Sequence, residues 1–284
     1  MAGLGTRLYP VSIVLPKGLM PFVLPDGRLT TGLQLIANAL LDAGIEQIGL
    51  VVSPEQEAVY RQFLSGDSAR YGAALQRRAE LHAAYEALQR LNACITLIVQ
   101  PQPYGFGHAV WCARDFAQGE PVLVMLGDHI PLATGSVSPV QQALAMYERL
   151  RAPLYAVYRV PLHAVERYGI LRGEPTEEAR LYRLQQVVEK PTQAFAQQAL
   201  RTPGLPEGEF FTHFGIYCMP AALWRVQAEI ARDYQPGRGE WYLVNAQQRL
   251  LERMPAYLLE VEGKMLDFGT PTEYALAFRT LMGQ

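Results

Sequence analysis

Apolar runs of strand length alternate along the chain with longer stretches in which apolar residues recur at helical spacing, the pattern of βαβ units around a mainly parallel sheet. Residues 32–43 read as a helix closed by Gly44, and 45–53 as the buried strand that follows. A longer helical region covers about 54–92, with a break near Ser65-Gly66-Asp67. The stretches 95–100 and 121–127 are short and almost wholly apolar, as strands are when a sheet is covered on both faces. Between them lie a glycine-rich turn and a helix beginning near His108. Beyond about Ala152 strands are predicted at 154–160, 183–189 and 211–219, separated by polar loops at 172–178 and 201–209. Helices at 221–231 and 241–252, a strand at 256–261 and a terminal helix from Thr272 complete the pattern. No long linker interrupts it. The expectation is one α/β domain over 1–284, Rossmann-like, with a mixed, mainly parallel sheet and helices on both faces, its two halves meeting near residue 150.

Composition narrows this picture. With 284 residues, half of them hydrophobic, the chain can bury a substantial core. A net charge of −2 indicates neither a nucleic-acid-binding surface nor a polyanionic tail, so any phosphate must be held locally. The three cysteines, Cys94, Cys112 and Cys218, are widely spaced and lack a CxxC pair, so they read as reduced thiols of a cytoplasmic protein. No apolar run reaches the roughly 20 residues of a membrane span, and no signal pattern opens the chain.

Four clusters carry candidate chemistry. The first is the opening turn, Gly3-Leu4-Gly5-Thr6-Arg7, followed by Pro16-Lys17. Glycines let backbone amides approach an anion, a guanidinium suits planar phosphate recognition, and a lysine adds a point charge. The alternative is an ordinary glycine turn beside surface bases. The second, Gln100-Pro101-Gln102-Pro103-Tyr104-Gly105, follows a predicted strand at the edge where open α/β sheets bind ligands. A Gln amide offers both a donor and an acceptor, which matches the edge of a pyrimidine. His108 reads as a structural residue at a helix start, because no acid or cysteine stands in a fitting relation to it. The third is Asp128, directly after the apolar 123–127, a candidate Mg²⁺ ligand with Asp267 as its partner. An N-cap or turn role is its alternative. The fourth is Glu189-Lys190, where a strand ends in adjacent acid and base before Pro191. It reads either as a solvated strand end or as a hydroxyl acceptor beside a phosphate-binding cation.

In this order and spacing the four clusters resemble the sugar-1-phosphate nucleotidylyltransferase family, and within it the branch that uses UTP and glucose 1-phosphate. The resemblance runs nearly the whole chain: AGLGTR with PK and a nearby MP, GFGHAVWCA at 105–113, ERYGIL around Gly169, VVEKP at 187–191, GRGEWYL at 237–243 and EGK with D.G at 262–269. It implies the nucleotide-diphospho-sugar transferase fold and Mg²⁺-dependent attack of a sugar phosphate on the α-phosphorus of a nucleoside triphosphate, with no covalent enzyme intermediate. Carried over residue by residue, Gly3, Leu4 and Gly5 hold the nucleotide, Gln100 and Gly105 read uracil, and Arg7 and Lys17 neutralise the triphosphate. Asp128 and Asp267 hold the metal, and Gly169, Glu189 and Lys190 hold the glucose 1-phosphate. Residues 1–150 thereby become the nucleotide-binding half and 151–284 the sugar-phosphate-binding half. The implied partners are small-molecule substrates and further copies of the chain in a homo-oligomer, with no nucleic acid and no membrane.

The chain departs from the family's pattern in places. Pro16-Lys17-Gly18 stands where PKE is usual, 24–28 replaces the following DKP, Asn245 replaces an acid, and the FGTP at 268–271 is more like guanylyltransferases. Another nucleotide and sugar pair, with dTTP or GTP, and a catalytically weak regulatory paralogue are therefore the rival readings. An NAD-dependent dehydrogenase is more distant, because the opening glycines lack the third glycine of that fingerprint. Relatives place an apolar strand directly before AGLGTR, so the sequence reads as lacking its first strand, with Met1 a misassigned start or a truncation point.

Overall fold

A computed structural model of the chain describes residues 5–283, which fall into two compact units. The first joins the chain up to Pro103 to the segment from Asp267 onward, and the second is Tyr104–Leu266. The structure thus parts the chain at two places, neither of them near residue 150.

In the first unit, β1 (Pro21–Val23) and β2 (Leu29–Thr31) form an antiparallel pair. They lead into α1 (Gly32–Leu41), whose start is fixed by a capping box: the Thr31 hydroxyl accepts from the Gln34 amide and the Gln34 side chain accepts from the Thr31 amide. There follow β3 (Ile48–Val52), α2 (Pro54–Ser65), α3 (Ser68–Arg77), α4 (Ala79–Cys94) and β4 (Ile95–Val99). β3 and β4 pair in parallel, Ile48 against Ile95 through Val52 against Val99. The expected helix break at 65–67 is there because Gly66 and Asp67 both adopt left-handed backbone, φ 69° and 42°.

The chain returns to this unit at its end. Phe268 and the helix Pro271–Leu281 pack on Phe22, which is wholly buried with ring centroids 5.4 Å from Phe268 and 5.2 Å from Tyr274. Gly32 has no side chain where a Cβ would come within 2.5 Å of the Phe268 ring. Thr270 caps the helix through the Glu273 amide, with Pro271 in its first turn. Within FGTP, therefore, Phe268 fills a core and Thr270-Pro271 start a helix.

The second unit runs through α5 (Phe106–Cys112), α6 (Arg114–Ala117), β5 (Val122–Met125), β6 (His129–Leu132), α7 (Pro139–Leu150), β7 (Leu154–Pro161), β8 (Gly169–Pro175), β9 (Leu181–Glu189), α8 (Gln193–Ala199), β10 (Glu209–Met219), α9 (Ala222–Asp233), α10 (Leu243–Leu251) and β11 (Tyr257–Glu260). Strand β12 (Lys264–Asp267), paired with β6, closes it with all but its last residue, Asp267, which belongs to the first unit. Six strands form one sheet in the order β5-β10-β7-β11-β9-β8, and β8 also touches β10. Only β7 and β11 are parallel; the other pairs are antiparallel. The α/β class expected from the sequence holds, but the expected mainly parallel pairing is corrected for this sheet, which is mainly antiparallel. The link between β8 and β9 is short, and a short link joins antiparallel strands, whereas a parallel pair needs a crossover of about a dozen residues or more.

Strand β8 occupies part of the polar loop expected at 172–178. Its Leu171 is buried in the main core and its Ile170 in a second apolar cluster on the opposite face, while Arg172 and Glu174 pair with each other at 2.7 Å and hide the strand pattern. Tyr155, Leu171, Leu184, Phe211 and Met219 build the core with Leu223, Val226 and Leu250 of α9 and α10. Among the described residues, no helix is long and apolar enough to cross a membrane.

Candidate active site

Gly3 and Leu4, assigned to the nucleotide, lie outside the described residues. Gly5 adopts left-handed backbone, φ 66°, and starts the 3₁₀ turn Thr6–Leu8, on which Arg7 is exposed. Lys17 opens a second 3₁₀ turn, Lys17–Leu19. The Gly18 amide that follows it donates to the buried Tyr60 hydroxyl at 3.2 Å. This amide, which any residue but proline would supply, anchors the lysine's turn. Gln100, 4 % exposed, follows β4 and donates its amide to the Val52 carbonyl at the end of β3. These four sites belong to the first unit.

In the second unit Gly105, φ 121°, precedes α5 in a backbone conformation suited to glycine. A Cβ there would meet the Trp241 carbonyl at 2.7 Å. The surrounding loop is clamped. The Trp241 amide donates to the Tyr104 carbonyl at 2.7 Å, and the Gly107 amide donates to the Trp241 carbonyl at 2.8 Å. The indole N–H donates to Gln227 at 3.0 Å, and Gln227, fully buried, donates to the Gly107 carbonyl at 3.3 Å. The extended backbone at Tyr242 explains why α10 starts at Leu243 and not at 241 as expected.

His108 packs among rings, 5.1 Å from Tyr104 and 5.5 Å from Trp241. The expectation that no cysteine stands in a fitting relation to it is corrected: i,i+4 spacing on α5 puts Cys112 Sγ 3.7 Å from its Nε2. Burial pushes that thiol up, away from the thiolate that a nucleophile requires.

Asp128 lies in the turn between β5 and β6, which a bulge in β10 shapes. The Leu126 amide donates to the Gly215 carbonyl, and Gly215, φ 93°, leaves room for His129, whose Nδ1 would be 2.5 Å from a Cβ there. Asp267 is the last residue of β12, the strand paired with β6 that starts with His129. Ligand atoms of Asp128, His129 and Asp267 all lie within 4.8 Å of one another. Two carboxylates form a hard-donor set that fits Mg²⁺, and the imidazole adds one softer donor. The sequence reading missed His129. Its adjacency to Asp128 was the available signal.

Gly169 starts β8 directly opposite Glu189, the last residue of β9. Glu189 is half-buried. Burial raises its carboxyl above the ordinary range; Lys190, with Nζ 3.9 Å away, opposes this, and Glu240 reinforces it. Lys190 takes left-handed backbone, φ 45°, and donates its amide to the Tyr168 carbonyl. The phenol of Tyr217 on β10 is pushed up by burial first, then by the charges of Glu189 and Asp128. Both carboxylates therefore act on one buried phenol, which puts the sugar and metal candidates of this unit in a common electrostatic neighbourhood.

Carboxylates and a lysine at or just beyond strand ends are groups that act by position and charge. A family model described as nucleotidyl transferase matches residues 1–283, and the chain belongs to this family. It is similar to the UTP–glucose-1-phosphate uridylyltransferase of Bacillus subtilis (strain 168), 32% identical over all of this chain and 91% of that protein. A second relative, UTP–glucose-1-phosphate uridylyltransferase 2 of Streptococcus pyogenes serotype M3, is 30% identical over 97% of this chain and 88% of its own length. Among solved structures, a UTP-bound UGPase from Acinetobacter baumannii superposes with a TM-score of 0.78 at 25% identity, covering 98% of this chain and 90% of that one. A UDP-glucose pyrophosphorylase complexed with UDP-glucose shares the fold, with a TM-score of 0.76 at 22% identity and coverage of 98% and 95%.

Proposed function

We propose that this nucleotidyltransferase transfers the uridylyl group of UTP to glucose 1-phosphate, giving UDP-glucose and pyrophosphate. The observation that carries the sugar side is the row at the β8 and β9 ends. Glu189 accepts from sugar hydroxyls above the side-chain-free Gly169, and Lys190 beside it meets the phosphate. The full-length identity to relatives named for UTP and glucose 1-phosphate supports the choice of substrates.

In this reading a phosphate oxygen of glucose 1-phosphate attacks the α-phosphorus of UTP, and the bond to the departing pyrophosphate breaks with its electron pair. Arg7 and Lys17 hold the triphosphate and neutralise the leaving group. Gly5 supplies backbone amide contact, and Gln100 and Gly105 read the base. Asp128 and Asp267, with His129, would hold Mg²⁺, which when bound supplies positive charge to the phosphate oxygens. The protein acts in the cytoplasm, in keeping with three free cysteines, and as a homo-oligomer, which light scattering in solution would check.

The test is pyrophosphate release from UTP, dTTP, GTP and CTP against several sugar 1-phosphates, with and without Mg²⁺. The expected result is strongest turnover for UTP with glucose 1-phosphate, lost on chelation. Turnover with no pair would overturn the enzyme reading, and preference for another pair would overturn the substrate assignment. Asp128→Ala is expected to abolish turnover with an unchanged circular dichroism spectrum; near-normal rates would remove Asp128 from the metal site.

A further inference from the structure

The antiparallel register of three strands aligns more than the sequence motifs suggested. Gly169 of β8 faces Glu189 of β9. On its other side β8 meets β10, with Leu171 against Phe211 and Ile170 against Thr212, so the next step sets His213 against Gly169. Thr212 seals this step by donating its hydroxyl to the Gly169 carbonyl at 2.9 Å. Residues directly opposite across a sheet point to the same face. Glu189, Gly169 and His213 therefore form one row, and the missing side chain in its middle leaves a dent. A Cβ in that dent would lie 3.0 Å from Glu189 Oε2, 3.5 Å from His213 Cδ2 and 3.8 Å from His213 Nε2. One wall is a carboxylate and the other the edge of an imidazole.

His213 is an unusual choice for this position. Its neighbours on β10 are mainly apolar and buried, and the ring is held between Tyr217 at 4.7 Å and Tyr155 at 5.8 Å. Its Nδ1 is buried with no hydrogen-bond partner, and so is Oε1 of Gln247, the α10 residue whose Nε2 lies 3.4 Å from His213 Nε2. Unsatisfied buried polar atoms cost stability, and an aliphatic residue would avoid that cost. Burial lowers the imidazole to about 3, so the ring is neutral near pH 7 and keeps both a donor and an acceptor nitrogen. The residue nonetheless retains some exposed surface, as do Gly169 and Glu189 beside it.

We propose that His213 is a specificity-determining residue of the sugar pocket, its Nε2 exchanging the Gln247 amide for a hexose hydroxyl adjacent to the one accepted by Glu189. Tyr155 and Tyr217 hold the ring in place. A carboxylate and a neutral imidazole on opposite walls of the dent together select the configuration of two neighbouring hydroxyls, which is what separates hexose epimers. The inference rests on the assignment of Glu189 and Gly169 to the sugar phosphate.

The experiment measures KM and kcat of His213→Val and His213→Gln for glucose, galactose and mannose 1-phosphates at saturating UTP, and KM for UTP at saturating sugar phosphate. Val is expected to raise KM for the preferred sugar phosphate about tenfold, the scale of one hydrogen bond, and to narrow the preference over its epimers by a similar factor. KM for UTP should not change, and Gln, which keeps a donor and an acceptor, should retain part of the preference. An unchanged epimer preference, or parallel losses for UTP and every sugar, would overturn the proposal and leave a structural role. If the Val variant does not fold, an unchanged preference in the Gln variant overturns it equally. Glu189→Gln in the same assay keeps the two ideas apart. No effect there removes the pocket assignment, whereas an effect at Glu189 without one at His213 removes only the inference about His213.

Discussion

In the proposed sugar site Glu189 serves only while it is ionised, because a carboxylate accepts hydrogen bonds at both oxygens and its protonated form does not. Burial raises its carboxyl, Lys190 pulls it back, and Glu240 pushes it up again. Protonation therefore begins at a higher pH than for a free glutamate. As pH falls through that raised value, KM for the sugar phosphate is expected to climb while KM for UTP stays level. Glu240→Gln removes one of the two raising influences, so the acid limb of the kcat/KM profile should move to lower pH. A limb that stays in place would show that Glu240 does not act on this carboxylate. Candidates of this kind stand out in the sequence because type and context coincide: Glu189-Lys190 ends an apolar strand, and Asp128 follows another. His129 and His213 do not stand out, because only register and packing give either a direction.

At the scale of elements, the clamp between the Tyr104–His108 loop and Trp241 ties together segments that stand more than 100 positions apart. Gly107 is the tightest point: a Cβ there would come within 2.4 Å of Trp241 Cδ1 and 2.8 Å of the Trp241 carbonyl. Backbone has little room to give. Gly107→Ala is expected to cost about 1–3 kcal/mol, the usual range for overpacking, read as a lowered urea midpoint at unchanged slope. An unchanged midpoint would mean that the loop and Trp241 separate at little cost. The two motifs of this clamp were each visible in the sequence, but their pairing was not, since nothing local announces which distant carbonyl a glycine amide will meet. Strand β8 was hidden for another reason. Arg172 and Glu174 pair within it, and a strand with paired charges reads as a loop. Helix α1 and the break at Gly66 were legible because caps and left-handed glycines act within a few residues.

Across the whole molecule, the first unit is discontinuous: its Phe22 core is closed by Phe268 and Tyr274, from the far end of the chain. Removing the residues from Thr270 onward should expose Phe22 and strip hydrogen-exchange protection from β1 and α1. Protection in β7, β10 and β11 of the second unit should survive. Equal loss in both would show that the two do not hold their structure separately. The division was illegible in the sequence, where no linker marks either place at which the chain parts. The same discontinuity sets an order of events during synthesis. A ribosome delivers residues 104–266 complete before it delivers the aromatic side chains that close the first unit, so the part made first must wait. Its opening hairpin and Phe22 stay in contact with solvent or chaperone until the last helix emerges, whereas the second unit can close as soon as its own strands are free.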